Sequence, residues 1–307
     1  MADKVVLREV GLRDGIQMAK RFLETKHKLD WALRAQAAGI REIELTSFVP
    51  PKVVPQFADA DELAKSLPQL SSVVASALVP NLKGAERAIA AGFAHINYVL
   101  SISELHSQSN VRRSTSEAID EFRKIVALKH SESGKKMVLG VGLATSFGCT
   151  LQGHVAPERV LEVARMVAEG GADELIVADT VGYGNPVQVK ALLKPIMEIA
   201  AGRRVVCHFH DTRGLGLANV VAALEAGVRV FDSSLAGLGG CPFAPGATGN
   251  INTEDAAFML ESMGFSTGVD ITALLELRRD VESWLGDERY SGAIARAGLP
   301  KTFTTNS

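Results

Sequence analysis

Four times along the chain an alanine-rich segment stops at a glycine, and an apolar run starts a few residues later. The stretches are AAGIREIEL (37–45), AAGFAHINYVL (90–100), EGGADELIVAD (169–179) and EAGVRVFDSSL (225–235). The glycine suits the left-handed position just past a helix C-terminus. The run of Ile, Val, Leu or Phe suits a parallel strand buried on both faces. Each stretch therefore predicts a helix-to-strand joint, and the uneven intervals between the glycines exclude a fixed-period solenoid. The same reading adds strands at VVLREV (5–10), SVVASAL (72–78), MVLGVGL (137–143) and RVVCHFH (204–210). Helix starts fall between them. Ser114 with Glu117 has capping-box spacing, Asn185 precedes a first-turn Pro186, and Pro157 can open another helix.

Eight strands, each followed by a helical segment, predict a (β/α)8 TIM barrel, with a doubly wound sheet as the alternative. After the eighth strand, VDITALLELRRDVESWL puts Ile271, Leu274, Leu275, Val281, Trp284 and Leu285 on one helical face. This helix is expected to pack on the barrel or at a subunit contact. The whole chain, 1–307, reads as one domain: a barrel over about 4–265 and a C-terminal helical extension over about 266–300. The tail KTFTTNS is polar.

Composition narrows the class. With 47% hydrophobic and 22% charged residues in 307, the chain can build one large core. The net charge is −2, and the doublets Arg112-Arg113, Arg203-Arg204 and Arg278-Arg279 are dispersed, which argues against nucleic acid as a partner. Charge every few residues in MADKVVLREVGLRDG does not resemble a signal peptide, and no stretch is apolar enough for a membrane span. Three cysteines without C-x-x-C spacing read as free thiols in a reducing compartment, so a cytoplasmic location is expected.

Barrel active sites lie at the C-terminal ends of the strands. Arg13 and Asp14 follow the first strand, Glu44 lies in the second, and Asp179 and Thr180 end the sixth. His208, His210 and Asp211 end the seventh, and the glycine-rich segment after the eighth holds Cys241 and Asn250. Polar groups from five strands thus converge on one rim.

Two residues apart on a strand, His208 and His210 leave the same face. They are either a hydrogen-bonded core pair or ligands of one divalent cation, and their place beside carboxylates favours the cation. Asp14 in RDG reads as a surface turn or a ligand, and Arg13 as a solvated cation or an oxyanion holder. Glu44 faces away from Ile43 and Leu45, so it is either paired inside the barrel or functional. Asp179 could orient a ligand. Cys241, alone among glycines, could act as an acid or base, whereas Cys149 and Cys207 read as small buried hydrophobes.

Together, EVGLRDGIQ (9–17), IELTSFVPPKVVPQFAD (43–59), HFHDTRGLGLAN (208–219) and AGLGGCPFAPGATGNINTED (236–255) resemble the 3-hydroxy-3-methylglutaryl-CoA (HMG-CoA) lyases. That family belongs to a superfamily of metal-dependent lyases and Claisen-condensing barrels. The first and third motifs are shared with isopropylmalate and homocitrate synthases, and the fourth points to the lyases. The resemblance implies metal ligands at Asp14, His208, His210 and Asn250, with Mg²⁺ or Mn²⁺ as the cation. It implies that Arg13 holds the enolate oxygen, that Glu44 assists near the metal, and that Cys241 is the loop acid or base. It further implies substrate contacts at Gln17, Ser47 and Thr180, an acyl-CoA substrate cleaved to acetyl-CoA and acetoacetate, a place in leucine degradation, and a homo-oligomer (dimer or tetramer).

The sequence departs from the family pattern in two places. Met18 and Ala19 replace Asn-Glu, and Thr150, Leu151 and Gln152 replace Pro-Tyr-Glu, with no tyrosine in GLATSFGCTLQG. Selectivity for the acyl group is therefore expected from the loops after strands 1 and 5. A related 3-hydroxyacyl-CoA, or condensation of the isopropylmalate and homocitrate synthase type, is the alternative.

Overall fold

The computed structural model describes residues 2–131, 133–240 and 249–305. Eight parallel strands close into a ring in sequence order. They are β1 (Val6–Glu9), β2 (Glu42–Ser47), β3 (Val74–Val79), β4 (His95–Ser101), β5 (Val138–Ala144), β6 (Glu174–Asp179), β7 (Arg204–Phe209) and β8 (Val230–Ser233). Around them run α1 (Thr25–Ala37), α2 (Ala60–Ala64), α3 (Leu82–Ala90), α4 (Glu104–Val111), α5 (Thr115–Lys129) and α6 (Pro157–Glu169). The shell continues with α7 (Pro186–Ala200), α8 (Gly216–Glu225), α9 (Thr253–Ser262), α10 (Ile271–Leu285) and α11 (Ile294–Ala297). The barrel reading holds, and the doubly wound alternative falls away because β1 pairs with β8.

The joints follow local chemistry. Gly39, Gly92, Gly171 and Gly227 all have φ between +94° and +112°, a conformation open to glycine without a Cβ penalty. Ser114 and Glu117 close a capping box on α5, Asn185 and Gln188 close one on α7, and Pro157 stands in the first turn of α6. Every residue of β2 and β6 is buried, as expected when helices cover one face and the barrel interior the other.

The interior is partly apolar and partly charged. Val6, Ile176, Val206 and Val230 form a small plug separate from the main core. Beside it Arg204 pairs with Glu42 and, at 3.0 Å, with Glu174, while Arg8 Nε donates to Asp232 at 2.6 Å. Burying charges is costly unless each is paired, and these are. On β5 two glycines face inward. A Cβ on Gly140 would stand 2.3 Å from Asn97 Oδ1, and one on Gly142 3.0 Å from Val99, so β5 leaves space that side chains would fill.

α10 packs against α1 and the barrel through Ile271, Leu274, Leu277, Val281 and Leu285. Leu275 and Trp284, expected on that face, are only partly buried at its margin. Arg278 takes the buried place instead, bonded to Glu254 at 3.2 Å and Glu282 at 2.6 Å.

Candidate active site

After β1 the chain makes a tight turn, Gly11–Gly15, in which the amides of Arg13, Asp14 and Gly15 all donate to the Val10 carbonyl. The turn lifts Arg13 and Asp14 onto the rim of the barrel. Arg13 Nη1 donates to Asp14 Oδ1 at 2.5 Å, and its Nε donates to Glu44. Glu44 lies beside a register shift between β2 and β3, an irregularity that re-aims side chains, and also accepts from Asn97 Nδ2 at 2.8 Å. The guanidinium is therefore held by two carboxylates before any ligand arrives. Of the two sequence alternatives, Glu44 is paired inside the barrel, and its partner is a candidate catalytic group.

His208 and His210 come from the end of β7 and the residue just beyond it. Their Nε2 atoms are 3.1 Å apart, and Asp14 Oδ2 lies 4.0 Å from the first and 3.6 Å from the second. Asn250, bridged to His210 across the mouth, donates from Nδ2 to Asp14 Oδ2 at 2.8 Å and to the Leu238 carbonyl at 3.1 Å. Its Oδ1 is buried without a hydrogen-bond partner.

Burial opposes ionisation of Asp14, but the Arg13 guanidinium and both histidines outweigh it and hold the carboxyl well below its ordinary range. Burial likewise opposes a charged His208, and Asp232 with Asp14 outweighs it, raising that imidazole. Asp14, His208 and His210 form a group that could hold a metal ion. Donors in adjacent positions around an octahedral cation, each about 2.1 Å from it, stand about 3 Å apart, close to the histidine spacing here. An unpartnered amide oxygen beside two imidazoles and a carboxylate is also the chemistry such an ion needs. The residues present fit the group.

These side chains floor a cavity of about 240 Å³. Gln17 and Thr180 line it, and Thr180 Oγ1 accepts from the Thr145 amide at 2.8 Å. Gly240 lines it too, while Cys241 lies outside the described residues. Ser47 is buried below, its hydroxyl engaged with the Leu78 carbonyl and the Val49 amide in the turn after β2. Asp179 does not orient a histidine side chain. Both its oxygens accept backbone amides, from Tyr183 and Gly184 at 2.9 Å, and so shape the turn after β6. Asp211 accepts from the Gly216 amide at the start of α8. Cys149 and Cys207 are fully buried, as expected.

Three participants went unread in the sequence. Asp232 on β8 meets His208 Nδ1 at 3.1 Å, Arg8 on β1 supports Asp232, and Asn97 on β4 supports Glu44. Each is a buried polar residue on a barrel strand, as Glu44 is.

The departing residues do not line the cavity. Met18 is exposed, and the Ala19 carbonyl is tied to Gln56. Gln152 instead accepts from Ser103 Oγ at 3.0 Å and the Glu104 amide at 2.9 Å, pinning the start of α4. It is α4 that presents His106, Asn110 and Val111 to the cavity, which Val49, Val53 and Val54 also line.

A closed parallel barrel whose C-terminal rim gathers an arginine, a carboxylate and two histidines defines a barrel enzyme with a candidate metal centre. The HMGL-like family model matches residues 4–281, and the chain belongs to that family. It is 38% identical to the hydroxymethylglutaryl-CoA lyase YngG of Bacillus subtilis, over 92% of this chain and 94% of the relative. It is equally 38% identical to the (R)-citramalyl-CoA lyase of Chloroflexus aurantiacus, over 92% of each chain. Among solved structures, an HMG-CoA lyase from Acinetobacter baumannii in complex with coenzyme A and 3-methylmalate superposes with a TM-score of 0.92. That structure is 37% identical, with 98% of this chain and 97% of that one covered.

Proposed function

We propose that the protein is a carbon–carbon lyase that cleaves a 3-hydroxyacyl-CoA between C2 and C3, with HMG-CoA as substrate and acetyl-CoA and acetoacetate as products. The observation that carries this reading is the convergence of Arg13, Asp14, His208 and His210 on one cavity floor, with nitrogen and oxygen donors 3.1–4.0 Å apart. Similarity to the B. subtilis lyase supports the substrate.

Asp14, His208, His210 and Asn250 would hold a divalent cation, Mg²⁺ or Mn²⁺. When bound, it makes the C3 hydroxyl more acidic. The rest falls to the chain. Arg13, fixed by Glu44 and Asp14, is aimed at the thioester oxygen, where negative charge grows as the C2–C3 pair moves onto C2. A general base takes the hydroxyl proton as the C2–C3 bond breaks and C3 becomes a ketone, and C2 takes up a proton in return, so the reaction balances without an oxidant. Cys241, which follows the lining residue Gly240 in the sequence, is assigned the delivery of that proton. Gln17 and Thr180 would contact the acyl group, with Ser47 shaping the turn beneath it. No helix among the described residues is long and apolar enough to cross a membrane, and we assign the enzyme to the cytoplasm.

One observation favours a second substrate. Much of the outer wall, Val49, Val53, Val54, Leu78, Val79 and Pro80, is apolar, α4 adds His106 and Asn110, and Arg8 and Arg13, both at the floor, are the only Arg or Lys among the described lining residues. A carboxylate on a longer arm finds no Arg or Lys out there, whereas one attached directly to C3 stays at the floor. That is the arrangement in citramalyl-CoA, the substrate named for the C. aurantiacus relative.

Incubating the protein with each thioester and measuring acetyl-CoA release, before and after chelation and with Mg²⁺ or Mn²⁺ restored, tests both readings. Metal-dependent release is expected. Full activity in chelator would overturn the metal site, and no acetyl-CoA from either thioester would overturn the lyase.

A further inference from the structure

Two carboxylates buried beneath the site take no part in the chemistry above. Glu9 closes β1, and its side chain folds back on the turn it precedes. Oε1 accepts from the Gly11 amide at 2.7 Å and from the Leu235 amide at 3.0 Å, and Oε2 accepts from Thr253 Oγ1 at 2.8 Å. One side chain thus joins the first residue of the Arg13–Asp14 turn to the segment after β8 and to the first residue of α9. Glu254, next along α9, grips the neighbouring amide: Ala236 donates to its two oxygens at 3.1 and 3.3 Å. Arg278 of α10 backs Glu254 at 3.2 Å.

The gripped segment is strained. Ala236 has φ +59°, a left-handed conformation that is unfavourable for an L-residue with a Cβ and persists only when its surroundings hold it. Its carbonyl is held as well, by the Ser291 amide at 2.8 Å. Two residues on, the Leu238 carbonyl receives Asn250 Nδ2, and a Cβ on Gly239 would stand 2.6 Å from Asn250 Nδ2 and 3.5 Å from Asp14 Oδ2. There is no slack on the other side either, because a Cβ on Gly11 would sit 2.4 Å from Glu9 Oε1.

We propose that Glu9 and Glu254 are positioning residues for the lyase reaction. They form a buried clamp that fixes the turn bearing Arg13 and Asp14 against the segment that orients Asn250, with α10 as its outer support. The proposal rests on the function proposed above. It gives the C-terminal helix a part in catalysis: Arg278 sits on the face that packs α10 to the barrel and passes that contact through Glu254 to the rim.

Reach, rather than charge, is what the clamp needs from Glu9. The test compares Glu9→Asp, which keeps the charge but is one methylene shorter, with Glu9→Gln, which keeps the length and the accepting oxygen. Arg278→Met probes the outer support. Each variant is read for thermal midpoint, for Mg²⁺ and Mn²⁺ affinity by calorimetry, and for kcat and KM below its midpoint. Glu9→Asp should lower kcat ~10–100-fold and weaken the cation, as loss of an orienting contact does, with KM for the thioester within about threefold. Glu9→Gln should stay within about threefold of wild type in both, and Arg278→Met should lower kcat about tenfold while remaining folded. A folded Glu9→Asp with wild-type kcat and cation affinity overturns the clamp. If Glu9→Asp does not fold, a folded Arg278→Met with wild-type values does so. If the wild type cleaves neither thioester, the proposed function fails separately, and the cation affinities still decide the clamp.

Discussion

Asp232 Oδ2 lies 3.1 Å from His208 Nδ1, and the other oxygen of the same carboxylate takes the Arg8 guanidinium at 2.6 Å. Burial alone would push the Asp232 carboxyl up, but Arg8, then His208, outweighs it and holds the group at about 2. An ionised Asp232 can only accept, so the His208 proton belongs on Nδ1 and the Nε2 lone pair faces Asp14 and His210. The inner surface of the barrel thus sets the tautomer of a candidate ligand.

Asp232→Asn should therefore reverse that preference, because an amide can donate where the carboxylate only accepts. Cation affinity and kcat/KM are both expected to fall ~10–100-fold. Calorimetric titration with Mn²⁺ and steady-state kinetics on the same preparation check it. Unchanged values would separate Asp232 from the site.

Buried Glu9 and Glu254 give a pH dependence of stability with a definite sign. Burial pushes both from an ordinary 4.5 up to about 7. The folded state then holds protons more tightly than the unfolded chain. Their contribution is fully present below 4.5 and is lost as pH rises through 7. Measured in chelator, wild-type stability relative to Glu9→Gln should drop between these limits by up to about 1.4 kcal/mol per pH unit. Denaturant melts at pH 5 and pH 8 decide it, and a flat difference would contradict the burial. Asp232 has the opposite sign, and its contribution is lost only as pH falls through about 2.

Thiol chemistry should be simple. Cys149 and Cys207 are fully buried, and burial pushes the Cys207 thiol well above its usual range. Neither offers an accessible thiolate to an alkylating reagent. Native protein is expected to inactivate as Cys241 alone is labelled, with protection by substrate, whereas unfolded protein should label at all three. Peptide mapping after partial inactivation identifies the residue. Cys241→Ser should keep its thermal midpoint and lose kcat.

Selectivity should respond to Gln152, although it is no part of the lining. Gln152→Ala removes the acceptor for both Ser103 Oγ and the Glu104 amide, freeing the start of α4 and with it the wall formed by His106, Asn110 and Val111. The expected result is a several-fold change in the kcat/KM ratio between HMG-CoA and citramalyl-CoA, since a displaced wall alters fit without touching Arg13. Gln152→Glu, which retains an accepting oxygen, should stay near wild type. An unaltered ratio in Gln152→Ala would place selectivity elsewhere in the cavity.

How much of this could be read from the sequence varies from residue to residue. The strands were legible because a parallel strand covered on both faces is a nearly unbroken apolar run, as in ELIVAD. His208, His210 and Asp14 were legible because their motifs are local. Asp232, Arg8 and Asn97 are buried polar residues on barrel strands, like Glu44, and went unread because none stood in a motif. The partner of each inward residue was not legible, since it lies across the ring. The acyl wall was misplaced for a related reason. Met18 and Thr150–Gln152 depart from the family pattern, but the described residues that line the cavity include Val49, Val53, Val54 and the α4 face instead.

The ring shuts where β1 meets β8, the first strand against the last. Asp14 comes from one side of that seam and His208, His210 and Asn250 from the other, and the Asn250–Asp14 bond alone spans 236 positions of sequence. A chain that has completed β1 to β6 owns the carboxylate but neither imidazole. Ligation and ring closure are then one equilibrium: an ion held by this set binds only a closed barrel, and its whole binding energy falls on the seam. At an ion concentration a hundred times its Kd, that linkage adds about 2.7 kcal/mol to the closed form. The catalytic ion would double as a rivet, and the first thing a starved enzyme would lose, after its activity, is resistance to opening between β1 and β8.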